Sequence, residues 1–116
     1  RYGDAEATER VLPLWRILHR AGVEVLLTGH EHSYERFAPM DGEGRSDGDR
    51  GVRLFVVGTG GGGLREFENP PLGTTEARSD DTWGVLALTL RAGAYDWKFL
   101  PAGDGDFTDA GSGTCH

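Results

Sequence analysis

A short apolar run from Val23 to Leu27 sets the strongest limit on how this chain can fold. The run follows a helical pattern directly and stops at Thr28 and Gly29. Successive side chains of a strand point to opposite faces, so a run that is nearly all apolar predicts a strand that is buried on both faces. Such strands are typical of sheets covered by helices. The sequence therefore predicts an α/β fold with a strand near residues 23–28.

The preceding pattern predicts a helix over residues 10–21. Apolar residues recur at spacings of three and four and form a stripe on one face, namely Val11, Leu14, Trp15, Leu18 and Ala21. Proline fits best in a first turn, so Pro13 places the start near residues 10 to 12, and Asp4 is a candidate cap further upstream. His19 and Arg20 suit the negative end of the helix dipole, and Gly22 suits a left-handed stop.

Three further strands are predicted, near residues 52–58, 83–90 and 95–100. The last two form a hairpin around the turn 91–94, with Leu86, Leu88 and Leu90 on one face.

The other segments are rich in residues typical of loops. The segment 38–51 contains several glycines and aspartates, and Pro70-Pro71 predicts an irregular connection over 64–82. The segment 101–116 predicts a loosely packed tail.

The composition of 116 residues is that of one modest soluble domain, with no apolar stretch long enough for a membrane span. A net charge of −7 argues against a general nucleic-acid binder. The chain begins at Arg1 and its single methionine is Met40, so we expect an excerpt whose missing part would leave apolar surface exposed. Cys115 has no partner cysteine here, so both a free thiol and half of a disulfide stay open.

The motif Gly29-His30-Glu31-His32 follows the first predicted strand. In an extended segment His30 and His32 would project to the same side. Two imidazoles at the carboxyl end of a buried strand favour a transition-metal site, because ligands of open α/β sheets bind at that edge. Two ligands are fewer than a site needs, so a pair of surface histidines is the alternative.

The run Gly58–Gly63 satisfies the pattern Gly-x-Gly-x-x-Gly after a strand, and Asp80 lies at a suitable distance for a ribose contact. A dinucleotide-binding module is therefore an alternative function. That fingerprint requires a helix that opens inside the motif, yet only six residues separate Gly63 from Pro70. We expect instead that these glycines let the backbone bend close beneath the metal site.

The run from Leu26 to Phe37, with its Gly-His-x-His, resembles the metal-binding motif of calcineurin-like metallophosphoesterases. The Tyr-Glu-Arg after it and Val56-Val57-Gly58-Thr59-Gly60-Gly61 are similar to the purple acid phosphatase branch. The helix containing Pro13-Leu14-Trp15 fits the same branch, so the resemblance runs from about residue 8 to residue 67.

The resemblance implies that the chain, residues 1–116, is the C-terminal part of one metallophosphoesterase domain, in a four-layer sandwich of two sheets flanked by helices. It implies that His30 binds one metal and His32 the other in a two-metal centre of Fe, Zn or Mn. The implied activity of the parent protein is hydrolysis of small phosphate monoesters by metal-activated hydroxide, with diesters possible.

The family's other ligands and its catalytic histidine lie upstream of this motif, and none is found here. We therefore expect no catalytic residue in this fragment, weak metal binding and no hydrolysis by it alone. A non-catalytic metal-binding or structural module is a third hypothesis. Arg36 is more plausibly in a salt bridge than on a phosphate, and Tyr34 more plausibly packs than touches substrate. The resemblance also suggests an exported parent, and leaves the oligomeric state open.

Overall fold

The computed structural model describes residues 5–116, with side chains from residue 9 onward. One helix, α1 (Ala5–Arg20), precedes seven strands. The strands are β1 (Val25–Thr28), β2 (Tyr34–Phe37), β3 (Arg53–Val57), β4 (Thr75–Ser79), β5 (Gly84–Arg91), β6 (Ala94–Pro101) and β7 (Ala110–Thr114). No helix among these residues is long and apolar enough to cross a membrane.

The strands form two sheets. The first sheet has the order β1-β3-β2-β4, with β1 and β3 parallel and the other pairs antiparallel. The second is the antiparallel meander β5-β6-β7. The first sheet lies between α1 and the second sheet, so the described chain has three layers, which suits the predicted α/β class.

Strand β3 connects the two cores because its side chains alternate between its faces. Leu54 and Val56 face α1, where Trp15 is the buried anchor of the helix. Phe55 faces the second sheet and packs edge-on against Trp97, with ring centroids 5.5 Å apart. Short apolar strands of this kind gain their stability from burial on both sides.

The helix begins earlier than predicted, at Ala5, so Pro13 lies inside it rather than in its first turn. Glu9, whose carbonyl would accept the hydrogen bond that proline cannot donate, is exposed, as Pro13 is. Gly22 has φ of 78° and ends the helix as predicted. The predicted cap Asp4 lies outside the described residues.

The predicted strands near 23–28, 52–58, 83–90 and 95–100 are present as β1, β3, β5 and β6. The turn at Ala92-Gly93 is also present, with Gly93 in the left-handed region. Leu86 and Leu88 pack against the core between the sheets, but Leu90 is 77% exposed. Strand β1 is an edge strand with Leu27 exposed, so the prediction that it is buried on both faces is wrong for this chain.

Three strands were not predicted. Strand β2 carries charged residues at its two central positions, strand β4 carries them at alternate positions, and the sequences YERF and TEARS have no apolar run. Strand β4 therefore falls in the connection 64–82 that was expected to be irregular. Strand β7 pairs with β6 through residues of a segment expected to be loose, although its sequence AGSGT has almost no apolar surface.

The tail is held by side chains as well as by β7. Phe107 packs at a tilt against Tyr34 and edge-on against Phe99, with ring centroids 5.5 Å from each. Asp109 accepts hydrogen bonds from the Tyr34 hydroxyl at 2.6 Å and from Arg36 Nε at 2.7 Å. These contacts join the segment before β7 to the centre of the first sheet.

Candidate metal centre

The two histidines of the motif lie at the carboxyl ends of the parallel pair β1 and β3. Thr28 of β1 is paired with Val56 of β3, so the segments that follow the two strands leave the sheet side by side. One segment carries His30 and His32, and the other is the glycine loop, residues 58–63. This is the edge at which open α/β sheets hold their ligands.

The backbone at the motif is tightly bent. The expectation that His30 and His32 project to the same side had assumed an extended segment, and this assumption is wrong. The amide of Glu31 donates to the carbonyl of Gly29 at 2.9 Å, and the amide of Ser33 donates to the carbonyl of Glu31 at 2.9 Å. His30 is the central residue of the first turn and has φ of 72°. This is the rare γ-turn with a positive central φ, which is strained for a residue with a side chain.

His30 is the only non-glycine residue with positive φ in the part of the chain that the structure describes. Its side chain is exposed and has no hydrogen bond or ion pair with the described residues. Backbone strain of this kind persists where the surrounding structure imposes it, and it is concentrated at functional sites. The first histidine is therefore held in an unfavourable conformation that its own side chain does nothing to stabilise.

His32 is held by the glycine loop. Its Nδ1 lies 2.7 Å from the carbonyl oxygen of Gly63, and its own carbonyl accepts from the amide of Arg65 at 3.1 Å. The amide of Gly58 donates to the carbonyl of Ser33 at 3.0 Å, and a Cβ at Gly58 would overlap the carbonyl of Glu31. The loop thus lies directly against the histidine segment, which is the close backbone approach expected of these glycines.

The dinucleotide alternative is not supported by the structure. From Gly63 to the start of β4 at Thr75 the described chain contains no helix, so there is no helix N-terminus to face a pyrophosphate. Asp80, the candidate for a ribose contact, accepts a hydrogen bond from the amide of Phe67 at 2.9 Å.

Arg36 and Tyr34 face the second sheet instead of the motif. The Arg36 guanidinium lies 4.9 Å from the Trp97 ring centroid and pairs with Asp109 and Glu76. Burial and the hydrogen bond to Asp109 raise the pKa of Tyr34 above its ordinary value. Burial opposes ionisation of Asp109, but the hydrogen bonds from Arg36 and Tyr34 outweigh it and lower the pKa of that carboxyl. Both side chains therefore serve the interface between the sheets.

The other histidines lie elsewhere. His19 Nε2 is 3.6 Å from a carboxylate oxygen of Asp47, at the end of α1. His116 donates its amide to Glu24 at 2.8 Å, and its Nε2 lies 3.2 Å from the same carboxylate. Among the residues whose side chains the structure describes, no three from His, Cys, Asp and Glu come together as a metal-binding group. Cys115 is exposed and unpaired in this chain.

The fold has a counterpart among solved structures. No family model matches the chain, and no curated protein does. The structure of the purple acid phosphatase PPD1 isolated from yellow lupin (Lupinus luteus) seeds matches 87% of this chain, with a TM-score of 0.76 and 24% sequence identity. The likeness is one of fold. This chain spans 19% of the length of that phosphatase.

The predicted fold class is confirmed by this likeness. The chain is mixed α/β, with one helix and two sheets among its described residues, and it matches a C-terminal portion of the purple acid phosphatase fold.

Proposed function

We propose that this chain supplies two ligands to the dinuclear metal centre of a phosphatase that hydrolyses small phosphate monoesters. In this proposal His30 binds one metal ion and His32 the other, and the remaining ligands come from chain outside these residues. The observation that carries the proposal is the strained His30 beside the anchored His32, at the carboxyl edge of β1 and β3. The likeness of fold to a purple acid phosphatase supports it.

The residues present fit such a centre in kind. Imidazole suits Fe and Zn, and Mn is accommodated when carboxylates complete the site. His32 has one ring nitrogen on the Gly63 carbonyl, and among the described residues neither its other nitrogen nor the exposed ring of His30 has a partner that a metal would have to displace. They do not fit in number, because no third candidate ligand from the described side chains joins them.

Metal ions, when bound, supply Lewis acidity to a phosphate ester and activate a water molecule. The protein's own contribution is to hold two imidazoles at fixed positions without contributing negative charge. This matters because the chain carries a net charge of −7, so the positive charge that attracts a phosphate ester would arrive with the metals. Arg36 is engaged with Asp109 and Glu76 and is not proposed as a phosphate ligand.

The test uses the complete protein that carries this chain. We expect His30→Ala and His32→Ala each to lower p-nitrophenyl phosphate hydrolysis at least about 100-fold and to lower the metal content measured by mass spectrometry. His19→Ala is the matched control, because it removes a histidine at the end of α1 and should leave both quantities unchanged. Full activity and metal content in both site variants would refute the proposal.

A non-catalytic metal-binding module is the second candidate, favoured by the incomplete ligand set of the described residues. In that case the complete protein would bind metal through His30 and His32 but would not hydrolyse phosphate esters. The 116-residue chain alone is expected to hydrolyse nothing under either hypothesis, since two imidazoles do not make a complete centre.

Export of the parent protein is part of the first proposal, and secretion of the tagged full-length protein would test it.

A further inference from the structure

The glycine loop, residues 58–63, contacts the imidazole of His32 at two points. The carbonyl oxygen of Gly63 lies 2.7 Å from His32 Nδ1. Gly62 lies against the same ring, because a Cβ built there would lie 2.8 Å from His32 Cε1, 3.1 Å from Nδ1 and 3.3 Å from Nε2. The imidazole therefore occupies space that any side chain at residue 62 would fill.

The hydrogen bond to Gly63 decides which ring nitrogen of His32 carries the proton. A carbonyl oxygen only accepts, so Nδ1 must be the donor. In the neutral ring the single proton is then on Nδ1, and Nε2 keeps a free lone pair. Metal-binding histidines are commonly oriented in this way, through a hydrogen bond from the second ring nitrogen.

The loop is itself fixed to the second sheet. The indole Nε1 of Trp83 donates to the carbonyl of Gly62 at 2.8 Å. Beside it, the fully buried Thr59 donates its hydroxyl to the carbonyl of Gly84 at 2.9 Å and accepts the amide of Gly84 on its own carbonyl at 3.1 Å. Trp83 remains 46% exposed, so packing of its ring in a core does not fix its position, and its hydrogen bond to Gly62 is a specific contact with the loop.

We infer that Gly62, Gly63 and Trp83 are positioning residues that present Nε2 of His32 as the metal-binding atom. Trp83 holds the carbonyl of Gly62, Gly62 leaves room for the imidazole, and the carbonyl of Gly63 fixes its tautomer and direction. The metal role in this inference rests on the proposed function, whereas the tautomer follows from the contacts of this chain alone.

The test is the position of the His32 ring proton in the ¹⁵N-labelled chain, read from long-range proton–nitrogen correlations. The expected result is a proton on Nδ1 and a bare Nε2. Addition of Zn²⁺ should then shift the Nε2 resonance, and the titration gives the affinity at this residue.

Gly62→Ala and Trp83→Phe should each lower the population of the Nδ1–H tautomer, and Gly62→Ala should weaken Zn²⁺ binding about tenfold or more. The matched control is Gly60→Ala in the same loop, since a Cβ there has no neighbour within 4 Å and the contacts of His32 and Trp83 go to Gly63 and Gly62 instead. It should keep both the tautomer and the affinity.

A proton on Nε2 of the unmodified chain would overturn the positioning role, whether or not Gly62→Ala folds. A folded Gly62→Ala chain with unchanged tautomer and affinity would overturn it as well. If the unmodified chain keeps its Nδ1 proton but saturating Zn²⁺ leaves the His32 resonances unmoved in the complete protein that carries this chain, the tautomer argument holds, whereas the metal role and the proposed function both fail.

Discussion

Replacing His30 by glycine should stabilise the chain relative to replacing it by alanine, although alanine is ordinarily the better residue for a folded backbone. The reason is the φ of 72° at this position. A left-handed conformation costs a residue with a Cβ about 1–2 kcal/mol, and alanine has the same cost as histidine. Glycine avoids it but loses more backbone entropy on folding, which costs about 0.5–1 kcal/mol.

The difference between the middle values of these two ranges predicts that His30→Gly is more stable than His30→Ala by about 0.75 kcal/mol. Loss of the imidazole itself should matter little, because the side chain is exposed and has no polar partner among the described residues. The assay is urea unfolding followed by tryptophan fluorescence. For a slope near 2 kcal/mol per molar urea, the midpoints should differ by about 0.4 M.

The comparison at His19 provides the control. His19 lies in the last turn of α1, so there glycine should be the less stable of the two substitutions by about 1 kcal/mol. If glycine is also the less stable residue at position 30, the strain argument is refuted. If the predicted order is found, the native histidine is retained at a cost to stability, as expected of a residue selected for function.

Two further predictions concern the interface between the sheets and the open surface. Asp109→Ala should lower the free energy of unfolding by about 3 kcal/mol, because it leaves the Tyr34 hydroxyl and part of the Arg36 guanidinium unpaired, whereas Asp104→Ala, at an exposed position, should not change it. Since folding lowers the pKa of Asp109, its ionised carboxylate stabilises the fold fully above the unfolded pKa of about 3.9, and this stabilisation is lost as the pH falls through the folded pKa. If acid destabilised the unmodified chain and Asp109→Asn equally, this reasoning would be contradicted. The chain should also bind a hydrophobic dye, because Ile17 and Leu27 are 58% and 52% exposed, and Leu27→Ser should reduce the dye fluorescence. A compact monomer that binds no dye would contradict the exposure of these apolar side chains.

The parts of the fold that were predictable from the sequence are those whose side chains bury apolar surface in a regular period. The β5–β6 hairpin alternates around Leu86 and Leu88, and Trp15 lies on the predicted face of α1. Strand β2 was missed because Arg36 takes an inward position that an apolar residue normally fills. Its charge is balanced by carboxylates distant in the sequence, Glu76 and Asp109, the second of which lies 73 residues further along the chain.

The candidate site was located from the sequence but its geometry was not. The motif placed His30 and His32 after β1, and the glycine run placed a close backbone approach after β3. The γ-turn at His30 could not be predicted from residue type, because positive φ is uncommon for every residue with a side chain, although histidine is enriched among the exceptions. The contribution of Trp83 was equally hidden, since it depends on how the second sheet meets the glycine loop.

The contacts of Asp109 and His116 also bear on when this chain can fold during synthesis. Asp109 reaches back 75 residues to Tyr34, and His116 reaches back 92 residues to Glu24. Arg36 therefore cannot pair with Asp109 until residue 109 has been synthesised. Until then the faces of the two sheets that will meet are exposed to other chains, and contacts of such long sequence separation form slowly. The segment near residue 109 must therefore be synthesised before the two sheets can make the contacts described between Asp109, Tyr34 and Arg36.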